Sequence, residues 1–174
     1  FFEYKSKFNS RFNIYYNIKL IKNDLKKIIK NYDGWICSPS PNYIINKEIL
    51  KHTKNLKCLI TPSTGTNHID VNYCKKNHIK LFSLSNTKDV KKIYASSEFT
   101  FLLSLFMIKN LKLGIKNAVN YNWRKKENLF RGSEIADKKV SIIGFGRIGR
   151  NLARYFQPFK ANVWVYDINK KNIP

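Results

Sequence analysis

With 174 residues, 43% of them hydrophobic, the chain has room for one ordinary domain or parts of two and enough apolar content to exclude a disordered polypeptide. Its 33 basic residues against 11 acidic ones leave a net charge of +22, which raises the question of a nucleic-acid or anionic-membrane partner. The lysines are spread along the whole chain without a block of five or six, so they read as solvated faces, and no specific nucleic-acid partner is expected.

The elements follow in chain order. "IKLIKNDLKKIIKNY" puts Ile18, Ile21, Leu25, Ile28 and Ile29 on one stripe with lysines opposite, the pattern of an amphipathic helix. "GWICSPSP" predicts a short buried strand stopped by Pro39 and Pro41, and "NKEILKHTKN" a second short helix. A strand at 56–61, a glycine-bearing loop, a helix at about 69–77 and a strand at 79–84 come next. This βαβ order predicts an α/β fold whose residues 1–95 form a flavodoxin-like parallel sheet with helices on both faces.

Beyond "SNTKDVKKIY", Ser96 or Ser97 is expected to cap a helix running through Leu111, with Glu98 in its first turn. Its run "FTFLLSLFMI" is half the length needed to cross a bilayer and is apolar nearly all round, which predicts burial between two layers or two subunits and no membrane partner. A second domain, 96–174, is expected to continue with a helix and an irregular link bearing Gly132. Strands in "KVSIIGF" and "ANVWVYD" then open a second sheet.

Cysteine and histidine usage add little chemistry. Cys37, Cys58 and Cys74 are odd in number and form no C-x-x-C pair, so they read as buried thiols of a reducing compartment, the cytoplasm. His52, His68 and His78 fit no zinc pattern, and no metal is expected. No secretory signal pattern opens the sequence. The lack of an initiating Met and the ending "DINKKNIP" lead to the expectation of a fragment.

The chemistry-bearing stretch is "SIIGFGRIGRNLARYF". Three glycines spaced G-x-G-x-x-G lie between a β-forming run and a helix-forming run, with Asp167 closing the next strand, and that context points to a dinucleotide. Gly144 permits the tight turn, Gly146 leaves room for a pyrophosphate, and Gly149 lets the helix approach the strand. The backbone N–H groups of Arg147 and Ile148 face the phosphates at the positive end of the helix. Asp167 accepts from the adenosine ribose hydroxyls and repels a 2′-phosphate, which favours NAD over NADP even with Lys170 and Lys171 nearby. The competing readings are glycines needed only for packing and an Asp that only ends a strand.

With these pieces assembled, the stretch from about Ile36 to Asp167 resembles the D-isomer-specific 2-hydroxyacid dehydrogenase family, which includes D-3-phosphoglycerate dehydrogenase. "LITPSTGTNHIDVNYCKKNHIKLFSLSN", "ASSEFTFLLSLFMIKNL" and "RGSEIADKKVSIIGFGRIGRNLARYFQPFKANVWVYD" carry the resemblance in order, spacing and letters. It implies a substrate domain followed by the first part of a Rossmann NAD-binding domain, an active site in the cleft between them, and a homodimer for the full-length protein. It also implies NAD as cofactor and a small 2-hydroxyacid or 2-oxoacid as substrate, 3-phosphoglycerate, glyoxylate and lactate among the candidates. The loop holding Ser63, Thr64 and Gly65 would bring backbone amides to the substrate carboxylate, with Thr64 also near the cofactor. Ser96 would contact the nicotinamide side. Read without the family, Thr64, Thr66 and Ser96 are equally helix-capping residues.

Two positions depart from the family pattern: Lys160 stands where Gly is common, and Ser97 where Ala is usual. The family's catalytic Arg, Glu and His follow the second nucleotide-domain strand, beyond the present sequence, so no catalytic residue is assigned and the 174 residues by themselves are expected to be inactive. His68 reads as structural. The implied activity is an NAD-dependent oxidoreductase acting on the CH–OH group of a D-2-hydroxyacid. The alternatives are a non-catalytic, corepressor-like dinucleotide-binding module and a charge-driven nucleic-acid binder.

Overall fold

The structure, a computed structural model, describes residues 11–16, 22–121, 124–125 and 127–174. Ile18 and Ile21 of the predicted amphipathic stripe lie outside the described residues. The chain divides into two units, Phe1–Val90 and Lys91–Pro174.

In the first unit, helix α1 (Lys22–Ile28) runs into a 3-10 turn at Ile29–Asn31. Its apolar stripe buries Leu25 and Ile29 against Ile49. Strand β1 (Gly34–Ile36), helix α2 (Lys47–Leu50), strand β2 (Cys58–Thr61), helix α3 (Val71–Lys76) and strand β3 (Lys80–Ser83) follow. The strands form one parallel sheet in the order β1-β2-β3, with Trp35 opposite Leu59 and Leu59 opposite Leu81. Alternation along β2 buries Leu59 and Thr61 and leaves Cys58 and Ile60 only half-buried, so Cys37 and Cys74 are buried thiols while Cys58 is not. Burial raises the pKa of both the Cys37 and Cys74 thiols. Asn46 caps α2 and Asp70 caps α3, each side chain accepting a backbone N–H from the first turn. The helix predicted at 69–77 therefore begins later, because Ile69 is used elsewhere. Its neighbours form a parallel bridge to Ile45, whose N–H donates to His68 O at 2.7 Å and whose O accepts from Asp70 N at 2.9 Å.

In the second unit, helix α4 (Ala95–Ile108) departs from expectation at both ends. Tyr94 stands at its N-cap, and neither serine caps it. Ser97 lies inside the first turn, fully buried, and its hydroxyl donates back to Tyr94 O at 2.7 Å, the local back-bonding open to a serine within a helix. The helix predicted to run through Leu111 breaks at Asn110, whose φ of 48° is left-handed, and α5 (Leu111–Val119) starts afresh. Asn tolerates that conformation better than most residues. Burial is also one-sided. Phe101, Leu105 and Ile108 pack on a core of Ile135, Ile142, Phe145, Leu152 and Phe156, whereas Phe99, Leu102, Leu103 and Met107 are exposed.

A short helix α6 (Glu127–Phe130) leads to strand β4 (Lys139–Ile143), helix α7 (Arg147–Phe156) and strand β5 (Asn162–Tyr166). The two strands are parallel, with Val140 opposite Val163 and Ile142 opposite Val165. Those four residues face the core shared with α7, and Ile143, Trp164 and Tyr166 stay exposed. Two parallel strands joined through a helix form the βαβ unit expected of the glycine-rich stretch.

Candidate functional site

Gly144, Gly146, Arg147, Ile148, Gly149 and Asp167 come together at the C-terminal ends of β4 and β5, and each glycine has its own physical reason. Gly144 has φ +94° and its N–H donates to Tyr166 O at 2.7 Å, so the chain turns sharply where the two strands end. A Cβ on Gly149 would lie 2.2 Å from Gly144 O and 3.1 Å from Ile142 Cγ2, so this glycine sets the closest approach of α7 to β4. Gly146 is different. Its φ is −76°, and a Cβ there would meet nothing within 4 Å, so packing gives no reason for a glycine and the space beside the backbone is open. The N–H groups that open α7 precede its ladder, which begins with Arg150 N donating to Gly146 O at 3.0 Å. An open glycine before a helix N-terminus fits a pyrophosphate of NAD.

The Arg147 guanidinium donates to Ile93 O, so its side chain ties the start of α7 to the segment before α4. Asp167 Oδ2 accepts from Phe145 N at 2.6 Å, and Oδ1 accepts from Asn169 N at 2.7 Å and Asn172 Nδ2 at 3.2 Å. The Asn169 N–H contributes most to holding this carboxyl below its ordinary range, with Phe145 N, Asn172 and the charge of Arg150 adding to it. Asp167 thus orders the turn, and with about four acceptor positions on a carboxylate, it retains one for a ribose hydroxyl. Ser96 is exposed in the first turn of α4. Its neighbour Ser97 lies 3.4 Å from Asn151 Nδ2 of α7, a buried polar pair that pattern reading missed because Asn151 falls on an otherwise helix-forming run.

Ser63, Thr64 and Gly65 belong to the first unit and follow β2 after Pro62. Thr64 and Gly65 are exposed, and neither Thr64 nor Thr66 caps α3, since Asp70 does. Ser63 Oγ donates to Gly65 O at 2.7 Å and lies 2.7 Å from the buried Thr61 Oγ1, which is 3.1 Å from His68 Nε2. His68 is therefore tied into the wall of the loop, with Cys37 Sγ 4.0 Å from the same nitrogen. Sequence reading missed Thr61 because only the strand register turns its hydroxyl inward. No three His, Cys, Asp or Glu side chains are grouped to hold a metal ion among the described residues. No helix among them is long and apolar enough to cross a membrane.

Comparison with known proteins gives these features their family. Residues 3–92 match the model of the D-isomer specific 2-hydroxyacid dehydrogenase catalytic domain, and residues 101–174 that of the NAD binding domain of the same proteins. The chain belongs to the D-isomer-specific 2-hydroxyacid dehydrogenase family. Within that family it is 27% identical over 144 residues to formate dehydrogenase 2, mitochondrial, of Oryza sativa subsp. japonica, covering 83% of this chain and 37% of the relative. It is 31% identical over 126 residues to glycerate dehydrogenase of Hyphomicrobium methylovorum, covering 71% and 38%. Among solved structures, D-lactate dehydrogenase from Aquifex aeolicus, complexed with NAD and lactic acid, superposes with a TM-score of 0.72 at 26% identity, covering 87% of this chain and 42% of that one. The chain thus spans about two fifths of the length of these dehydrogenases. The parallel α/β architecture and the NAD-binding assignment of the second unit follow from membership.

Proposed function

We propose that the whole protein is an NAD-dependent oxidoreductase acting on the CH–OH group of a small D-2-hydroxyacid, or on the matching 2-oxoacid in reverse. In this reading the first domain (1–95, with the division falling after Val90 in the fold) holds the acid, and the second (96–174) begins the nucleotide site. The observation that carries it is the turn at Gly144–Gly149, where Gly146 is open for no packing reason and Asp167 stands at the end of β5.

The residues then divide the work. The backbone N–H groups of Arg147 and Ile148 hold the pyrophosphate, Gly146 lets it approach, and Gly149 and Gly144 keep the turn in shape. Asp167 receives one ribose hydroxyl and disfavours a 2′-phosphate. Ser96 borders the nicotinamide, and Ser63, Thr64 and Gly65 present backbone amides to the acid's carboxylate. Bound NAD supplies the hydride acceptor. 3-Phosphoglycerate is the candidate to assay first, beside glycerate, glyoxylate and lactate; the full-length protein is a homodimer, and its cysteine usage favours a reducing compartment such as the cytoplasm.

The test is cofactor choice in the full-length protein. NAD binds more tightly than NADP by fluorescence titration. Asp167→Asn, which removes the charge, narrows the gap between the two cofactors. Equal affinities in the unmodified protein would remove the argument from Asp167.

A further inference from the structure

We propose that His68, Thr61 and Ser63 form a directed hydrogen-bond relay that sets the Gly65 peptide of the acid-binding loop, making Thr61 and His68 positioning residues for the substrate. The proposal rests on the reading of Ser63–Gly65 as the loop that takes the acid.

Counting protons gives the relay its direction. A carbonyl oxygen only accepts, so in the 2.7 Å contact between Ser63 Oγ and Gly65 O the serine donates. Its one proton is then spent. In the 2.7 Å contact between Thr61 Oγ1 and Ser63 Oγ, threonine must therefore donate and serine accept. Thr61 has now spent its proton as well, so at 3.1 Å from His68 Nε2 its oxygen accepts and the ring nitrogen carries the hydrogen. The Cys37 thiol, whose pKa burial raises, stands beside the same groups, 4.0 Å from His68 Nε2 and in hydrogen-bond reach of Thr61, and as a weak donor and weak acceptor it perturbs the relay less than the hydroxyls do. Thr61 is 1% exposed, so water does not replace a missing partner there.

The far end of the relay is where its effect lies. With the Gly65 carbonyl drawn toward Ser63, the planar trans peptide turns the Thr66 N–H the opposite way, out of the relay. Among the described residues no hydrogen bond takes up the N–H of Thr64, Gly65 or Thr66. The ends of the loop are fastened by backbone bonds, Leu84 N to Ser63 O at 3.0 Å and Ile69 N to Thr66 O at 2.9 Å. Among the described residues its middle is fastened only by Ser63, and successive N–H groups without a partner suit a carboxylate. The hydroxyl of Thr61 is thus the buried link through which a half-buried imidazole orients an exposed peptide.

Two measurements on the full-length protein test this. Nitrogen-15 NMR of the histidine rings, at a pH where they are neutral and with His68 assigned by loss of its signals in His68→Gln, shows the Nε2–H tautomer. The Nδ1–H tautomer overturns the relay. In steady-state kinetics, Ser63→Ala and Thr61→Val each raise KM for the acid about tenfold, the scale of one lost hydrogen bond. KM for the cofactor and kcat stay within about twofold, and Thr61→Ser, which keeps the hydroxyl, stays close to the parent. Ser63 is half-buried in a loop, so Ser63→Ala remains readable even where Thr61→Val disturbs the sheet. An unchanged KM in Ser63→Ala, or Thr61→Ser as impaired as Thr61→Val, also overturns the proposal. Absence of turnover on every 2-hydroxyacid defeats the proposed function instead, while the tautomer still decides the relay.

Discussion

At the scale of single residues, two of the three glycines of the turn make opposite predictions although the motif spells them alike. Gly149→Ala places a methyl 2.2 Å from Gly144 O, backbone that cannot yield as a side-chain end would, so the fold loses about 1–3 kcal/mol or more. Urea unfolding shows it as a lower midpoint at unchanged slope. At Gly146 a Cβ meets nothing within 4 Å, so Gly146→Val is expected to change the unfolding free energy by no more than about 0.5 kcal/mol while abolishing NAD binding in the full-length protein. Equal destabilisation by both would mean that the turn is built only for packing. Lys160 offers the converse. It holds φ 57° just beyond α7, a conformation costing about 1–2 kcal/mol in an L-residue, part of which glycine returns as unfolded-chain entropy. Lys160→Gly is therefore expected to stabilise by about 0.5–1 kcal/mol, and a lower melting temperature would contradict this. The family pattern of Gly at this place and the observed backbone have one cause.

Between elements, polar contacts join helices whose apolar stripes alone do not specify a partner. Ser97 and Asn151 connect α4 to α7 inside an apolar core. Ser97→Ala leaves the Asn151 amide without that acceptor, which costs about 1–2 kcal/mol by chemical denaturation. Ser97→Ala combined with Asn151→Leu recovers part of the loss, and a neutral single variant would show the pair to be incidental. On the first unit, Glu48 of α2 accepts from Lys22 and Lys26 of α1 at 2.5 and 2.6 Å. Those hydrogen bonds, Lys22 first, lower its pKa from an ordinary 4.5 to about 2. Because the folded-state pKa lies below the unfolded one, this stabilisation is full above about pH 4.5 and fades as pH falls toward about 2. Glu48→Gln should flatten that acid limb of the melting temperature, and high salt should reduce the difference, since the pair is partly exposed. An acid limb unchanged by the substitution would deny the pair any role. These links also mark what was legible beforehand. The βαβ order and the turn could be read because each is encoded within a short window of periodicity and glycine spacing. The break at Asn110, the Ile45 bridge to the loop and the Ser97–Asn151 pair could not, because they depend on which face of one element meets another.

For the molecule as a whole, the +22 charge is the feature that family membership leaves unexplained, and where the charges sit decides what it can do. Sequence-selective nucleic-acid binding requires base-reading groups on one element beside a clustered basic surface. In the described structure the lysines are spread over elements of both units, among them Lys26 and Lys27 on α1, Lys75 and Lys76 on α3, and Lys112 and Lys116 on α5. Some are already engaged, as Lys57 is with Asp33 at 3.0 Å. A charge so distributed attracts any polyanion through counterion release and discriminates among none. The full-length protein is therefore expected to retain a DNA oligonucleotide at low salt with no preference between unrelated sequences. Retention should fall steeply with salt and be weaker than about micromolar near 0.15 M, within the nonspecific range. Titration by fluorescence anisotropy over a salt series, with two unrelated duplexes and a single strand, reads this directly. Nanomolar binding at about 0.15 M salt with a clear preference for one sequence would reverse the interpretation, and the charge would then be a binding surface rather than solvation.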